Sequence, residues 1–141
     1  IYALGECVEH RGSLFGLVAP LYDQAAVLAK TLCGQDARFV QKTLSTKLKV
    51  TGCDLFSAGD FSDAPGRENI IYRDQSNAIY KRLILDGDTL IGAVLFGDTQ
   101  DGSWYFDLIQ SGESVAGFRD ALIFGPAYID GGDAPRCSLA A

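Results

Sequence analysis

The 141-residue chain has no methionine, one histidine and one tryptophan. The lone His10 has no Ser, Cys or Asp arrangement around it that suggests a triad, so it is expected as a polar surface or turn residue. Positive charge is also scarce: 12 Lys and Arg stand against 18 Asp and Glu, a net charge of −6. That balance argues against nucleic-acid binding, which needs a clustered basic excess to meet phosphates. No apolar run reaches the roughly 18 residues of a membrane span, and no basic-then-apolar leader is written, so no membrane partner is expected. The four cysteines (Cys7, Cys33, Cys53 and Cys137) form no C-x-x-C pair, which removes a zinc ribbon and a redox dithiol. Spacing leaves disulfides open, but a chain that is 48% hydrophobic does not need them; reduced thiols and a cytoplasmic location are the expectation. A Gly-x-Gly-x-x-Gly dinucleotide fingerprint is missing as well.

What is present suits one globular domain with a short partial element in front. The chain opens on Ile1-Tyr2-Ala3-Leu4, read as an apolar strand, and runs straight into Gly5-Glu6. A glycine there lets backbone approach a ligand closely, and the carboxylate is held at the strand's end. Glu6 is then either a surface acid or an acceptor for sugar-like hydroxyls, a charge-assisted bond of the strong kind. Together with the missing fingerprint, the opening suggests a piece of a longer protein. Gly12 to Gly16 is expected to turn, and a helix to run from near Pro20 to about Leu32. Pro suits the first helical turn, the Ala-rich stretch has high propensity, and Gly34 stops it. The segment Gly16-Leu17-Val18-Ala19-Pro20 enters this helix. Its N-terminus is either an ordinary Pro-started one or a source of free N–H groups for an electron-rich ring edge.

From Ser45 the texture becomes that of strands. Thr46 to Val50 alternates and reads as half-buried, Thr51-Gly52 as a turn, and Asp54 to Gly59 as a second strand. Asp60 to Glu68 reads as a loop, Asn69 to Arg73 as a strand, and Asp74 to Asn77 as a turn. Ile79 to Leu85 and Thr89 to Phe96 flank Asp86-Gly87-Asp88, the clearest hairpin signal in the chain. Trp104 to Gln110 and Val115 to Ile123 read as two short helices, and the Gly, Asp and Pro-rich 126–141 as a fraying tail that carries Cys137. Trp104, Tyr105, Phe106 and Tyr80 are expected as core or interface aromatics. Asp98, Asp101 and Asp107 lack the glycine and closing glutamate of an EF-hand, and are expected as solvated acids near a helix start.

Six stretches carry a family resemblance: 2–7, 16–20, Leu44-Ser45-Thr46-Lys47-Leu48-Lys49-Val50-Thr51-Gly52, Asp54-Leu55-Phe56-Ser57-Ala58-Gly59-Asp60, 79–83, and Gly92-Ala93-Val94-Leu95-Phe96-Gly97-Asp98-Thr99. In these the chain resembles the large subunit of assimilatory NAD(P)H-dependent nitrite reductases and the related electron-transfer subunit of assimilatory nitrate reductase. The resemblance implies an oxidoreductase parent of nitrogen assimilation. In it, NAD(P)H reduces FAD and electrons pass through iron–sulfur centres to sirohaem, where nitrite becomes ammonia. It matches Gly5 and Glu6 to a strand end that contacts FAD, and Val18 and Ala19 to a flavin-facing helix entrance. No catalytic residue and no metal ligand is expected in this stretch. The NAD(P)H fold and most of the FAD fold would lie upstream, and cluster and sirohaem ligands downstream. FAD retention and activity by residues 1–141 alone are therefore not expected.

The architecture expected is α+β, an antiparallel sheet with short helices on one face, preceded by a strand-helix remnant of an FAD-binding domain. The bounds are 1–34 for the remnant, 35–43 for a connection, 44–125 for the α+β module and 126–141 for the tail. Such a module works by packing against other domains of the polypeptide, a small subunit or a second copy.

Overall fold

Gly87-Asp88, with Gly87 at φ +58°, closes a two-residue turn between β4 (Ile79–Asp86) and β5 (Thr89–Phe96). The left-handed φ at the turn matches the twist of its flanking strands, which is why this hairpin was readable from two residues. The computed structural model describes residues 1–129, and within them the chain separates into two compact units that divide after Lys42.

The second unit begins at Thr43 and is built on five antiparallel strands. β1 (Ser45–Val50) and β2 (Cys53–Gly59) form one hairpin, and β3 (Arg67–Asp74) pairs with β4 in another. β2 pairs with β5, so the spatial order is β1-β2-β5-β4-β3. Helix α2 (Gly102–Ser111) lies on β5 and β2, and short 3-10 turns at Leu122–Phe124 and Pro126–Tyr128 follow. The α+β reading and its antiparallel sheet hold.

Side chains alternate across the sheet, and the face beneath α2 carries the core. Phe56, Ala58, Leu83, Leu85, Leu90, Ala93 and Leu95 meet Tyr105, Leu108, Val115 and Leu122 there. A bulge between Ile84 and Leu85 leaves Ile91 as the extra residue, since Ile84 faces Gly92 while Leu85 faces Leu90. The shift keeps Leu85 and Leu90 together on the buried face. It also frees the Ile91 carbonyl to accept a 2.8 Å bond from the Asp60 N–H. The chain leaving β2 crosses the sheet so closely here that a Cβ on Gly92 would lie 2.2 Å from the Asp60 carbonyl oxygen.

Three expectations in this unit are corrected. β1 is not half-buried: Thr46, Lys47, Leu48 and Val50 are exposed, because β1 is the edge strand of the sheet and α2 packs on β5 and β2. The 60–68 loop ends at 66, since β3 begins at Arg67. Val115 to Ile123 is not a helix but two 3-10 turns, Ala116–Phe118 and Leu122–Phe124. Gly117 weakens a helix, and the Val115 N–H is taken by the Asp88 carbonyl at 2.8 Å, which pins the segment to the hairpin turn. Of the expected tail, 126–129 includes the Pro126–Tyr128 turn; 130–141, with Cys137, lie outside the described residues.

The first unit, Ile1–Lys42, holds α1 (Val18–Leu32) and little other regular structure. The predicted strand at Ile1–Leu4 does not form. No strand among the described residues pairs with these residues, and a strand without a ladder is not one. The turn expected over Gly12 to Gly16 sits earlier, where His10 and Ser13 bond each other's backbone across Arg11 and Gly12. α1 ends as expected, with Gly34 at φ +76°.

Candidate functional site

Gly5 takes φ +105°, a conformation that disfavours any side chain. Its carbonyl accepts from the Val8 N–H at 3.1 Å, closing a turn that leaves Glu6 exposed. The Gly5 N–H donates to Gln24 Oε1 at 3.3 Å, which ties this turn to α1. Gln24 is six positions after Val18, so the tie falls roughly 9 Å along the helix axis from its first residue. Gly5 and the helix that starts at Val18 are thus held together by one side chain, which sequence reading passed over.

α1 begins at Val18 rather than near Pro20, so Val18 and Ala19 are inside its first turn, and both are exposed. Leu17 at the N-cap makes no side-chain cap, and the first turn holds no acid. The leading N–H groups therefore keep their partial positive charge free of any internal anion. The four predicted cofactor positions are a positive-φ glycine, a solvent-facing carboxylate and an uncapped helix entrance. All four belong to one unit.

His10 packs edge-on against Phe39 at 5.3 Å between ring centroids, a turn residue as expected. Cys7, Cys33 and Cys53 are free thiols, and among the described residues no group of three or more His, Cys, Asp or Glu is arranged to hold a metal ion. No described helix is long and apolar enough to cross a membrane.

In the second unit the three acids do not share one fate. Lys81, only 5% exposed, places its Nζ 2.8 Å from Asp98 Oδ2 and 3.6 Å from Asp101 Oδ2. Asp98 and Asp101 are thus partners of a buried ammonium rather than solvated helix-start acids, and Asp107 alone is exposed. The Lys81 hydrogen bond holds the Asp98 carboxyl below its ordinary range against the opposing effect of burial. Below this cluster Tyr105 is buried and donates its hydroxyl to the Leu122 carbonyl at 2.8 Å. Burial, helped by the Asp101 and Asp98 charges, pushes its ionisation well above the usual phenol range. These groups fasten α2 and the β5–α2 connection to the sheet; their arrangement supplies neither a nucleophile nor a free base.

The sheet face turned away from α2 is half-open and mixes apolar side chains with Thr46, Ser57, Arg73 and Arg82. The register lines up Leu48, Leu55, Phe96 and Tyr80 in one row and Val94, Arg82 and Ile71 in the next. Leu48, Phe96 and Ile71 are exposed, and Arg73 sits over the Tyr80 ring at 5.5 Å. Trp104 and Phe106, by contrast, pack against the core.

Residues 45–113 match the family described as the rubredoxin NAD+ reductase C-terminal domain. The chain is 44% identical over 133 residues to the NAD(P)H nitrite reductase of Bacillus subtilis, covering 94% of this chain and 16% of that protein. It is 42% identical over 124 residues to the assimilatory nitrate reductase electron transfer subunit of the same organism, with 87% of this chain and 16% of that protein covered. Its identity to the NADH nitrite reductase large subunit of Escherichia coli is 41% over 135 residues, again 16% of the relative. The crystal structure of NADH:rubredoxin oxidoreductase from Clostridium acetobutylicum superimposes with a TM-score of 0.69 at 25% identity, over 87% of this chain and 32% of that one. The resemblance read from the six sequence stretches is therefore borne out, and the chain spans about one-sixth of the length of these curated relatives.

Proposed function

We propose that residues 1–141 are part of a longer NAD(P)H-dependent flavoprotein reductase of nitrogen assimilation, acting on nitrite in the cytoplasm. In this reading the first unit supplies one edge of the FAD site, and the second is a contact module for other domains or subunits. The observation that carries it is the pairing of similarity with geometry. The chain is more than 40% identical to two nitrite reductases, and its matching positions present a positive-φ Gly5, an exposed Glu6 and an uncapped helix entrance.

The residues fit that cofactor. Glu6 would accept hydrogen bonds from the ribityl hydroxyls, and Gly5 leaves the backbone free of a Cβ where the ligand passes. The N–H groups of Val18 and Ala19 would face the flavin's electron-rich edge, where the helix's positive end favours added negative charge. When bound, FAD supplies hydride acceptance from NAD(P)H and onward electron transfer; this chain's own residues bind and orient it. The adenine and pyrophosphate would be held elsewhere, so residues 1–141 alone are not expected to retain the cofactor. The nitrate reductase electron-transfer subunit is the second reading, on its 42% identity. In either protein, clusters and sirohaem would be bound outside this stretch.

The test is Glu6→Ala in the full-length flavoprotein, followed by titration of the apoprotein with FAD. Loss of a charge-assisted bond of about 1.5–3 kcal/mol should weaken FAD roughly 10- to 100-fold. Unchanged FAD affinity in a folded variant would remove Glu6 from the site.

A further inference from the structure

Glu113 and Asp120 of the second unit are exposed, and neither makes an ion pair among the described residues. Arg119, their neighbour in sequence, is taken by Glu68, Asp88 and the Gly87 carbonyl. Each of the two acids stands at a groove with aromatic walls. One groove, of about 210 Å³, is lined by Trp104, Leu108, Phe118, Pro126 and Ile129, with Glu113 as its one charged residue. Trp104 and Leu108 are four positions apart and share a face of α2. Gly112, at φ +65°, ends that helix just before Glu113. The Trp104 and Phe118 rings lie 6.4 Å apart at 43°.

Phe118 and Ile129 also line a second groove, of about 370 Å³, where the acid without a counter-ion is Asp120 and the further ring is Tyr128. Two adjoining grooves thus repeat one chemistry, aromatic walls beside a carboxylate. That repetition narrows the occupant. An apolar side chain would match the walls but strip water from a carboxylate without replacing it, and an acidic one would be repelled. A lysine or arginine covers the walls with its stem, sets its charge against a ring and meets the carboxylate. The excess of 18 acids over 12 bases attracts the same kind of partner at longer range. The smaller groove lies below the roughly 300 Å³ at which small-molecule sites begin, and both share Phe118. Two side chains of one segment fit this pair better than a single small ligand does. Relatives of which this chain spans 16% have ample polypeptide to supply that segment.

We propose that these grooves are sockets for two basic side chains of one segment, carried by another domain of the same polypeptide outside residues 1–141. The proposal rests on the reading of the second unit as a contact module, and it adds a docking surface on the helix-bearing side of the sheet. Trp104 and Phe118 are its anchors, and Glu113 and Asp120 select for positive charge.

The test uses the full-length protein with Ala116→p-benzoylphenylalanine, irradiated and digested for mass spectrometry. Ala116 is exposed and lines the second groove, so the rings and both acids stay intact. The expected product is a cross-link, at the mass of one chain, to a peptide outside residues 1–141 that carries at least two Lys or Arg. Adding Glu113→Gln and Asp120→Asn should lower its yield about threefold or more, as loss of two exposed ion pairs predicts. An unchanged yield in that variant would overturn the proposal. So would a cross-link to residues 130–141, to a second copy, to a different polypeptide or to a peptide without cations, and so would no cross-link in folded protein. The contact-module reading falls separately. A cross-link to a peptide without cations defeats the sockets and leaves that reading standing. With no cross-link, it falls only if Ile71→Glu on the open sheet face also leaves assembly and electron delivery unchanged.

Discussion

Lys81 carries the largest difference between what its position in the sequence suggests and what it does. In Ile79-Tyr80-Lys81-Arg82 the two cations look equivalent, but strand alternation sends Lys81 under the helix and Arg82 to the open face, where it bonds Asn69 and Asp63. No local pattern shows that Asp98 and Asp101, 17 and 20 residues on, will meet Lys81. Lys81→Met should cost roughly 1–3 kcal/mol, less than for a fully buried pair because Asp98 keeps some water. Asp98 adds a pH signature. Its carboxyl is held below the ordinary aspartate value of about 3.9, so its contribution is present above that pH and fades as pH falls through the depressed value. In urea titrations Asp98→Asn should therefore be less stable than the native chain at neutral pH, the gap closing below about pH 4. A gap that persists unchanged into acid would show that the Lys81–Asp98 charge pair is not its source.

At the scale of elements, legibility followed locality. The β4–β5 hairpin was readable because the Asp86-Gly87-Asp88 signal and two β-rich runs are neighbours in sequence, and α1 because its propensity and stop signal are local. The bulge at Ile84/Leu85 was not, since it is defined by which residues face each other across two strands. The Ile1–Leu4 strand failed for a related reason: apolar composition predicts a strand only when a partner exists to pair with it. The 115–123 segment failed because tertiary bonds from Val115 and Arg119 outweigh its weak helical tendency. α2's seat on the sheet depends on Gly102, where a Cβ would lie 2.7 Å from the Phe56 ring. Gly102→Ala should cost about 1–3 kcal/mol through overpacking, measured by thermal or urea unfolding. A neutral or stabilising result would mean that the helix can lift from β2 without loss.

For the whole molecule, the candidate FAD positions Gly5, Glu6, Val18 and Ala19 were legible through their resemblance, whereas Gln24, which joins Gly5 to α1, had no motif to mark it. The proposed division of labour gives the flavin contacts to the first unit and the contacts with other domains or subunits to the second. Ile71 is exposed on the open sheet face of the second unit, opposite that unit's core, whereas the candidate flavin residues belong to the first unit. The most direct measurement is stopped-flow reduction of the bound flavin by NAD(P)H in the full-length protein carrying Ile71→Glu, alongside its steady-state reduction of nitrite. The account predicts that flavin reduction keeps its native rate while electron delivery to nitrite, or assembly of the enzyme, is impaired. Collapse of flavin reduction in a folded, flavin-loaded variant would place this face in the hydride-transfer machinery and contradict the account.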